Sequence, residues 1–349
     1  MPAKKRRYCG LTTFILLLNL ILPASAPALS FNSAPARFWG HLYKSPQSNL
    51  IQQGKKVPTR ALGERKSEWR INFIAVPDEA KKAIQSAIDI WSTNFSSKVP
   101  INIDVLWERG QNSSVLGSAR PGFYFNSFPG APDDDLWYPS ALANALAAND
   151  LDPKQPEIVL KLNSIILWYF GVDGRPNRQT YDLSSVVLHE IGHGLGFLSN
   201  AEYDQYFGTG YMFQPTPYDA FVQLPDNRTF LDFCSRSADL GKAMTGELVW
   251  AGKEGTSANN GVKPKLYTPS PYLDGSSITH LDEETFAKSS TDALMTPNLE
   301  PGESFSQIGP IAIGMISDMM KKPPVSAALE KPAKPVNVRA LIGDQYALV

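Results

Sequence analysis

From Trp69 onward the apolar positions of the chain fall into runs of definite period. Arg70-Ile71-Asn72-Phe73-Ile74-Ala75-Val76 alternates as a half-buried strand does, and Pro77-Asp78 breaks it. Between Asp78 and Phe95 the residues Ala80, Ala83, Ile84, Ala87, Ile88 and Trp91 recur at helical spacing, which predicts an amphipathic helix with Asp78 as its N-cap. Alternation returns in Ile101–Trp107, after Pro100. A strand, helix, strand succession of this length implies a crossover that lays the two strands parallel in one sheet.

Further strands are predicted at Gly122–Asn126, Glu157–Asn163 and Ile166–Phe170, with a short helix at Pro139–Ala148, so the N-terminal half is of the α/β (α+β) class. Beyond residue 200 the sequence turns to Pro, Gly, Asn and aromatic residues. Short helices near Pro217–Val222 and Ala238–Leu248 are expected within a loop-rich stretch, and periodicity resumes only at Gly309–Met320. The chain therefore divides into an aperiodic lead-in or short propeptide (31–68), an N-terminal subdomain (69–198), a loop-rich C-terminal subdomain (199–320) and a Pro-rich tail (321–349).

The first thirty residues follow another logic. Lys4, Lys5, Arg6 and Arg7 precede an apolar run from Leu11 to Leu22, and small residues follow at Ala24, Ser25, Ala26, Ala28 and Ser30. This is the three-part pattern of a cleavable signal peptide, with Phe31 as the expected mature start. The run of 12 residues, interrupted by Asn19, is short for a spanning helix, which needs about 20, so no stable membrane anchor is expected. The protein is read as secreted or periplasmic.

Composition narrows the field. With Lys+Arg 33 against Asp+Glu 34 there is no basic surplus for nucleic acid, and removal of residues 1–30 takes the formal charge from −1 to −5. The 2 cysteines, Cys9 and Cys234, fall on either side of the cleavage point, so no disulfide framework is expected and Cys234 reads as a buried, inert thiol.

The informative stretch is Leu183–Leu198, which carries His189-Glu190-x-x-His193 in an apolar helical run. Residues four apart share one helix face, so both imidazoles reach one ion, for which Zn²⁺ is the natural occupant. Glu190 leaves the same face one residue on and suits a general base acting on water rather than a ligand. Without a metal, this trio would leave costly polar groups in a core helix. Gly194 and Gly196 are expected to stop the helix just past His193. Zinc then needs a third ligand; Ser199, three residues after Gly196, is a poor one. Of the other two histidines, His280 in Gly275–Glu283 is preferred over His41 in the aperiodic lead-in.

Asp292-Ala293-Leu294-Met295-Thr296-Pro297 and the apolar run Gly309–Met319 complete a specific order of motifs. His-Glu-x-x-His-x-x-Gly-Phe, a long insertion, a separate histidine, a Leu-Met-x-Pro turn and a closing helix resemble the leishmanolysin-like branch of the metzincin zinc metalloproteases. The resemblance spans 69–320 and is strongest at 183–198 and 275–319. It implies a twisted mixed sheet with an active-site helix, one catalytic zinc on His189, His193 and His280, Glu190 as base, Met295 in a turn beneath the metal, and a protein or peptide substrate. The chain departs from the family in lacking its cysteines and a tyrosine soon after Met295.

Other readings stay open on the residues alone. Glu202, Glu247 or Glu254 as third ligand would make a gluzincin-type protease, and an exported binding module with purely structural zinc would leave Glu190 without a task. Asp133–Asp135 offers carboxylates for Ca²⁺ or else is a solvated loop, and Asp282 is either a carboxylate orienting the His280 ring or a surface residue.

Overall fold

The structure, a computed structural model, describes residues 31–45, 63–286, 291–324, 341–342 and 347–348. The expected signal segment and most of the Pro-rich tail lie outside these residues. Among the described residues no helix is long and apolar enough to cross a membrane.

The alternating runs build one mixed sheet. Its strands are β1 (Gly40–Lys44), β2 (Trp69–Ile74), β3 (Ile101–Glu108), β4 (Val115–Pro121), β5 (Ile158–Asn163) and β6 (Asn298–Leu299), in the order β6-β1-β4-β5-β3-β2. The expected crossover is present: β2 and β3 run parallel from Trp69 opposite Ile101 to Ile74 opposite Leu106, joined by α1 (Asp78–Asn94). β3 and β5 are also parallel, β4 is antiparallel to both β5 and β1, and β1 pairs parallel with β6. The protein is thus mixed α/β around a mixed sheet.

Strand alternation decides which face is covered. Ile101, Ile103 and Val105 of β3 and Ile158, Leu160 and Leu162 of β5 are buried, each contributing roughly 1.5–3 kcal/mol. Onto that face pack α1 and α3 (Leu183–Gly194), which Trp91 of α1 joins by donating its Nε1–H to the Leu188 carbonyl at 2.9 Å. The N-cap of α1 is Pro77, one residue before the expected Asp78. Asp78 lies within the first turn, where its carboxylate accepts from Lys81 at 2.6 Å.

The shorter expected elements shrink toward their most regular parts. Phe123–Asn126 is a strand paired antiparallel with Asn32–Pro35, and the strand expected at 166–170 is reduced to Trp168–Tyr169, parallel with Tyr181–Asp182. The helices are α2 (Ser140–Ala147), α4 (Pro217–Phe221), α5 (Ala238–Met244), α6 (Lys253–Ala258) and α7 (Pro310–Met319). Among the strands that escape the periodicity argument are β4 and β1. β4 lies between β1 and β5 and carries small residues at Gly117, Ser118 and Ala119, so it shows no alternation. β1 lies in the stretch expected to be an aperiodic lead-in; residues 31–45 are instead two strands, one of them inside the main sheet.

A buried carboxylate gives the fold a pH dependence. Glu157 Oε2 accepts from the Asn102 N–H (2.6 Å) and Nδ2 (3.0 Å), and Oε1 accepts from Asn144 Nδ2 (2.9 Å). Burial raises its pKa to about 7, against the Asn102 hydrogen bonds that lower it. From pH 4.5 upward the unfolded chain therefore gives up this proton while the folded chain keeps it, so this contribution to stability falls as pH rises to about 7. Glu157→Gln should remove that slope, on the order of 3 kcal/mol between the two limits. Urea midpoints that decline equally in both proteins over this range would contradict it.

Candidate metal centre

α3 starts from Asp182, whose Oδ2 accepts from Ser185 Oγ (2.6 Å) and Ser304 Oγ (2.7 Å), and every one of its residues is buried. A helix apolar on all sides belongs inside a core; its ring and carboxylate side chains are the exceptions that need partners. Gly117 of β4 permits the close approach, since a Cβ there would lie 3.1 Å from Glu190 Cγ.

The two glycines expected to stop α3 do different things. Gly196 adopts φ +109°, Phe197 N–H donates to the Gly192 carbonyl and Gly196 N–H to the His193 carbonyl, both at 3.0 Å, closing the helix end. Gly194 stays helical, and a Cβ there would sit 2.4 Å from Ile158 Cγ2, so its role is packing on β5. The turn also carries the Phe197 carbonyl back to His193, 2.7 Å from Nδ1.

The other two rings are anchored in the same manner. His189 Nδ1 donates to the Leu294 carbonyl at 2.5 Å, and His280 Nδ1 to the Ser276 carbonyl at 2.8 Å. A carbonyl only accepts, so each Nδ1 carries the ring's proton and each Nε2 presents a bare lone pair. These three Nε2 atoms face one another: 3.0 Å from His189 to His193, 3.2 Å from His193 to His280 and 3.2 Å from His280 to His189. Lone pairs at such distances repel unless a cation lies between them. Tetrahedral zinc with Zn–N near 2.0–2.1 Å calls for N···N separations of about 3.3–3.4 Å, close to those found. The donor set therefore fits the ion, and among the described residues it is the group of His, Cys, Asp or Glu side chains that converges in this way.

Protonation agrees with the geometry. Burial lowers the pKa of His189 to about 4 and holds His193 and His280 well below the ordinary imidazole value, helped at His193 by the neighbouring rings. All three are neutral at pH 7, the form a metal takes. Glu190 is fully buried; its Oε1 accepts from the Leu42 N–H at 3.2 Å, Oε2 has no hydrogen-bond partner, and burial raises its pKa well above the carboxylate range.

The Ala293–Met295 turn supports the ring cluster from below. Met295 is buried with its sulfur against Gly192, where a Cβ would lie 2.8 Å away, and its carbonyl accepts from Leu281 N–H at 2.8 Å. The same turn thus presents Leu294 to His189 and ties down the segment carrying His280.

A family model described as SPBPB7E8-like matches residues 72–229, a span that includes α1, α3 and both helix histidines and ends before His280. No curated protein and no solved structure matches the chain.

Several expected residues lie elsewhere. Glu202 and Glu247 are exposed and Glu254 binds Lys321 at 2.8 Å, so none of them joins the rings. Asp282 does not orient His280; its Oδ2 accepts from Thr285 N–H at 3.0 Å, and a backbone carbonyl fills the expected role. Asp133–Asp135 does not converge on a common point; Asp133 Oδ1 accepts from Asp135 N–H at 3.1 Å in a local turn. Cys234 is neither buried nor a free thiol: it is exposed and its sulfur is in a disulfide, while Cys9, the other cysteine of the sequence, lies outside the described residues.

Sequence reasoning missed the groups that hold the rings. They are three backbone carbonyls, for which side-chain identity carries no signal. It also missed Asp219 in α4, preceded by the Thr216 N-cap, which holds the chain near the rings without touching them. Asp219 Oδ1 accepts from Ser199 Oγ at 2.6 Å, and Oδ2 from Thr216 N–H and Oγ1 at 2.8 and 2.9 Å, fixing the chain just beyond the Gly196 turn. Asp219→Ala strands these buried donors and should cost roughly 2–4 kcal/mol in thermal or urea unfolding. A loss under about 0.5 kcal/mol, the range of ordinary surface changes, would show that the network is not needed.

Proposed function

We propose that this protein is an exported zinc-dependent endopeptidase of the leishmanolysin-like metzincin type. The observation that carries the reading is the convergence of three Nε2 lone pairs beside a buried glutamate with one oxygen unengaged. His189, His193 and His280 would hold the ion. Zinc bound there supplies a Lewis acid that acidifies water and polarises the scissile carbonyl. Glu190 acts as general base: its carboxylate is buried beside the rings with Oε2 free of hydrogen-bond partners, and burial raises its proton affinity above that of an ordinary carboxylate. Leu294, Phe197 and Ser276 hold the ring N–H groups, fixing which nitrogen of each imidazole faces the ion. The apolar run behind Lys4–Arg7 supports export, and protein or peptide is the substrate class.

One observation favours the binding-module reading with structural zinc: all three rings and Glu190 have 0–1% exposure, whereas a catalytic centre needs access. Against it stands Glu190, which a closed four-ligand site does not use. The deciding experiment is metal analysis of the purified protein with a peptide-library digest, Glu190→Gln serving as the blank. Stoichiometric zinc with cleavage absent from the blank supports the peptidase; zinc without cleavage in any form of the protein rejects it.

A further inference from the structure

From Gln205 to Tyr218 the chain runs 14 residues without a charged side chain, and Tyr206, Phe207, Tyr211 and Phe213 all fall within it. A stretch of this composition is expected to turn its rings inward. It does so only in part. Glu202–Asp204 and Thr209–Tyr211 form an antiparallel hairpin, with Glu202 opposite Tyr211 and Asp204 opposite Thr209. Met212 is buried, but Tyr206 at the tip is 88% exposed and Phe207 and Phe213 are each 69% exposed. Among the described residues, the aromatic side chains left largely in solvent are these three. The rings of Tyr206 and Phe207 meet edge to face at 4.8 Å and form one apolar knob.

The knob is held in place by the chain around it. Asp204 Oδ1 accepts the N–H groups of Tyr206 (2.9 Å) and Phe207 (3.1 Å), and the Asp204 carbonyl accepts from Gly208 (2.8 Å). Gln205 Nε2 donates to the Tyr272 carbonyl at 3.0 Å. α5 backs the second strand: Gly210 donates to the Ser237 carbonyl at 2.9 Å and accepts from its N–H at 3.1 Å. Gly241 lies so close that a Cβ there would be 2.2 Å from the Gly208 carbonyl oxygen. The fold thus fixes two rings that it does not bury.

Two properties decide what such a surface fits. It is convex, so a folded partner would need a matching hollow, whereas a lipid interface deforms around it. Its tip N–H groups are already paired within the loop, so it can leave water without stranding them. Uncharged aromatic rings are the side chains that favour the boundary between headgroups and acyl chains.

We propose that this hairpin is a membrane contact, in which Tyr206 and Phe207, with Phe213 behind them, enter the interfacial layer of a zwitterionic lipid bilayer. With Lys+Arg 33 against Asp+Glu 34 the chain has no cationic excess for anionic headgroups, so the contact is apolar, reversible and insensitive to salt. The proposal is independent of the peptidase reading. Glu202 and Tyr203 of the hairpin also line the cavity of about 360 Å³ shared with Ser277 and Thr279 of the His280 segment, so the contact would hold that cavity near the bilayer.

The test is flotation with phosphatidylcholine vesicles, using the chain from Phe31, which lacks the apolar run Leu11–Leu22. Wild type should float with the vesicles equally in low and high salt. Tyr206→Ser combined with Phe207→Ser should lower the partition coefficient roughly tenfold or more, given the apolar area each ring withdraws from water, and Phe207→Trp should retain or raise it. The rings are exposed, so the melting transition should stay in place. If the double variant does not fold, Phe207→Ser against Phe207→Trp decides, with lower partitioning in the first. Wild type that stays in the soluble fraction, or floats equally with and without the rings, overturns the proposal. So does flotation that requires phosphatidylglycerol or disappears in high salt, which assigns binding to charge elsewhere on the surface. Self-association of wild type without lipid that is lost in the double variant would make a second copy of the chain the partner and overturn the lipid assignment.

Discussion

Glu190→Gln should retain stoichiometric zinc and lose hydrolysis by about 10²–10⁴-fold, the range a positioned general base supplies. Glutamine has the same shape, and its carbonyl oxygen can still accept the Leu42 N–H, so the fold around α3 should be undisturbed. What it cannot do is take a proton. The measurement is kcat/KM on a cleaved library peptide, in whichever form of the protein turns over fastest, with metal content determined on the same samples. Parallel losses of zinc and activity would show that Glu190 acts through the structure of the site, and full activity would remove it from the chemistry.

His280→Ala should abolish zinc binding and every metal-dependent property with it. The wild-type rings form a closed triangle of neutral donors, and deleting one leaves two histidines on a single helix, short of the three protein ligands a catalytic zinc requires. The loss in affinity should exceed the 10–100-fold that follows removal of a residue that merely orients a ligand. A calorimetric readout is independent of activity: saturating zinc should raise the wild-type Tm, because ligand binding to the folded state stabilises it, and the rise should vanish in His280→Ala. The same shift should survive Glu202→Ala, Glu247→Ala and Glu254→Ala, whose side chains lie away from the rings. A zinc-induced shift that persists in His280→Ala and disappears in one of these three would transfer the third ligand to that glutamate.

The legible part of the site is the part encoded within one element. His189, Glu190 and His193 follow from helical periodicity in an apolar run, and the helix is present at Leu183–Gly194. Gly196 is legible as a turn because its φ suits glycine, whereas Gly194 carries the same letter for a different reason, the proximity of Ile158. The strand, helix, strand unit at 69–108 is legible for the same cause: alternation and helical spacing reflect burial of one face.

Elements without that contrast were hidden. β4 has three small residues in succession, and β1 has five residues with one large buried side chain. Neither offers a period to read, so 31–45 looked like a lead-in although it enters the sheet beside Glu190.

By itself the sequence determined the apolar helix, the histidine pair on its face, the acid beside them and the first parallel strands, because each depends on neighbours within a few positions along the chain. The tertiary structure alone decided that His280, 87 and 91 residues from its partners, meets them at 3.2 Å. It also decided which nitrogen of each ring faces inward, through carbonyls that any residue type supplies. And it placed Gly40–Lys44 against the His193 ring and Glu190, since strand pairing runs through backbone groups common to every residue and therefore leaves no mark in the order of side chains.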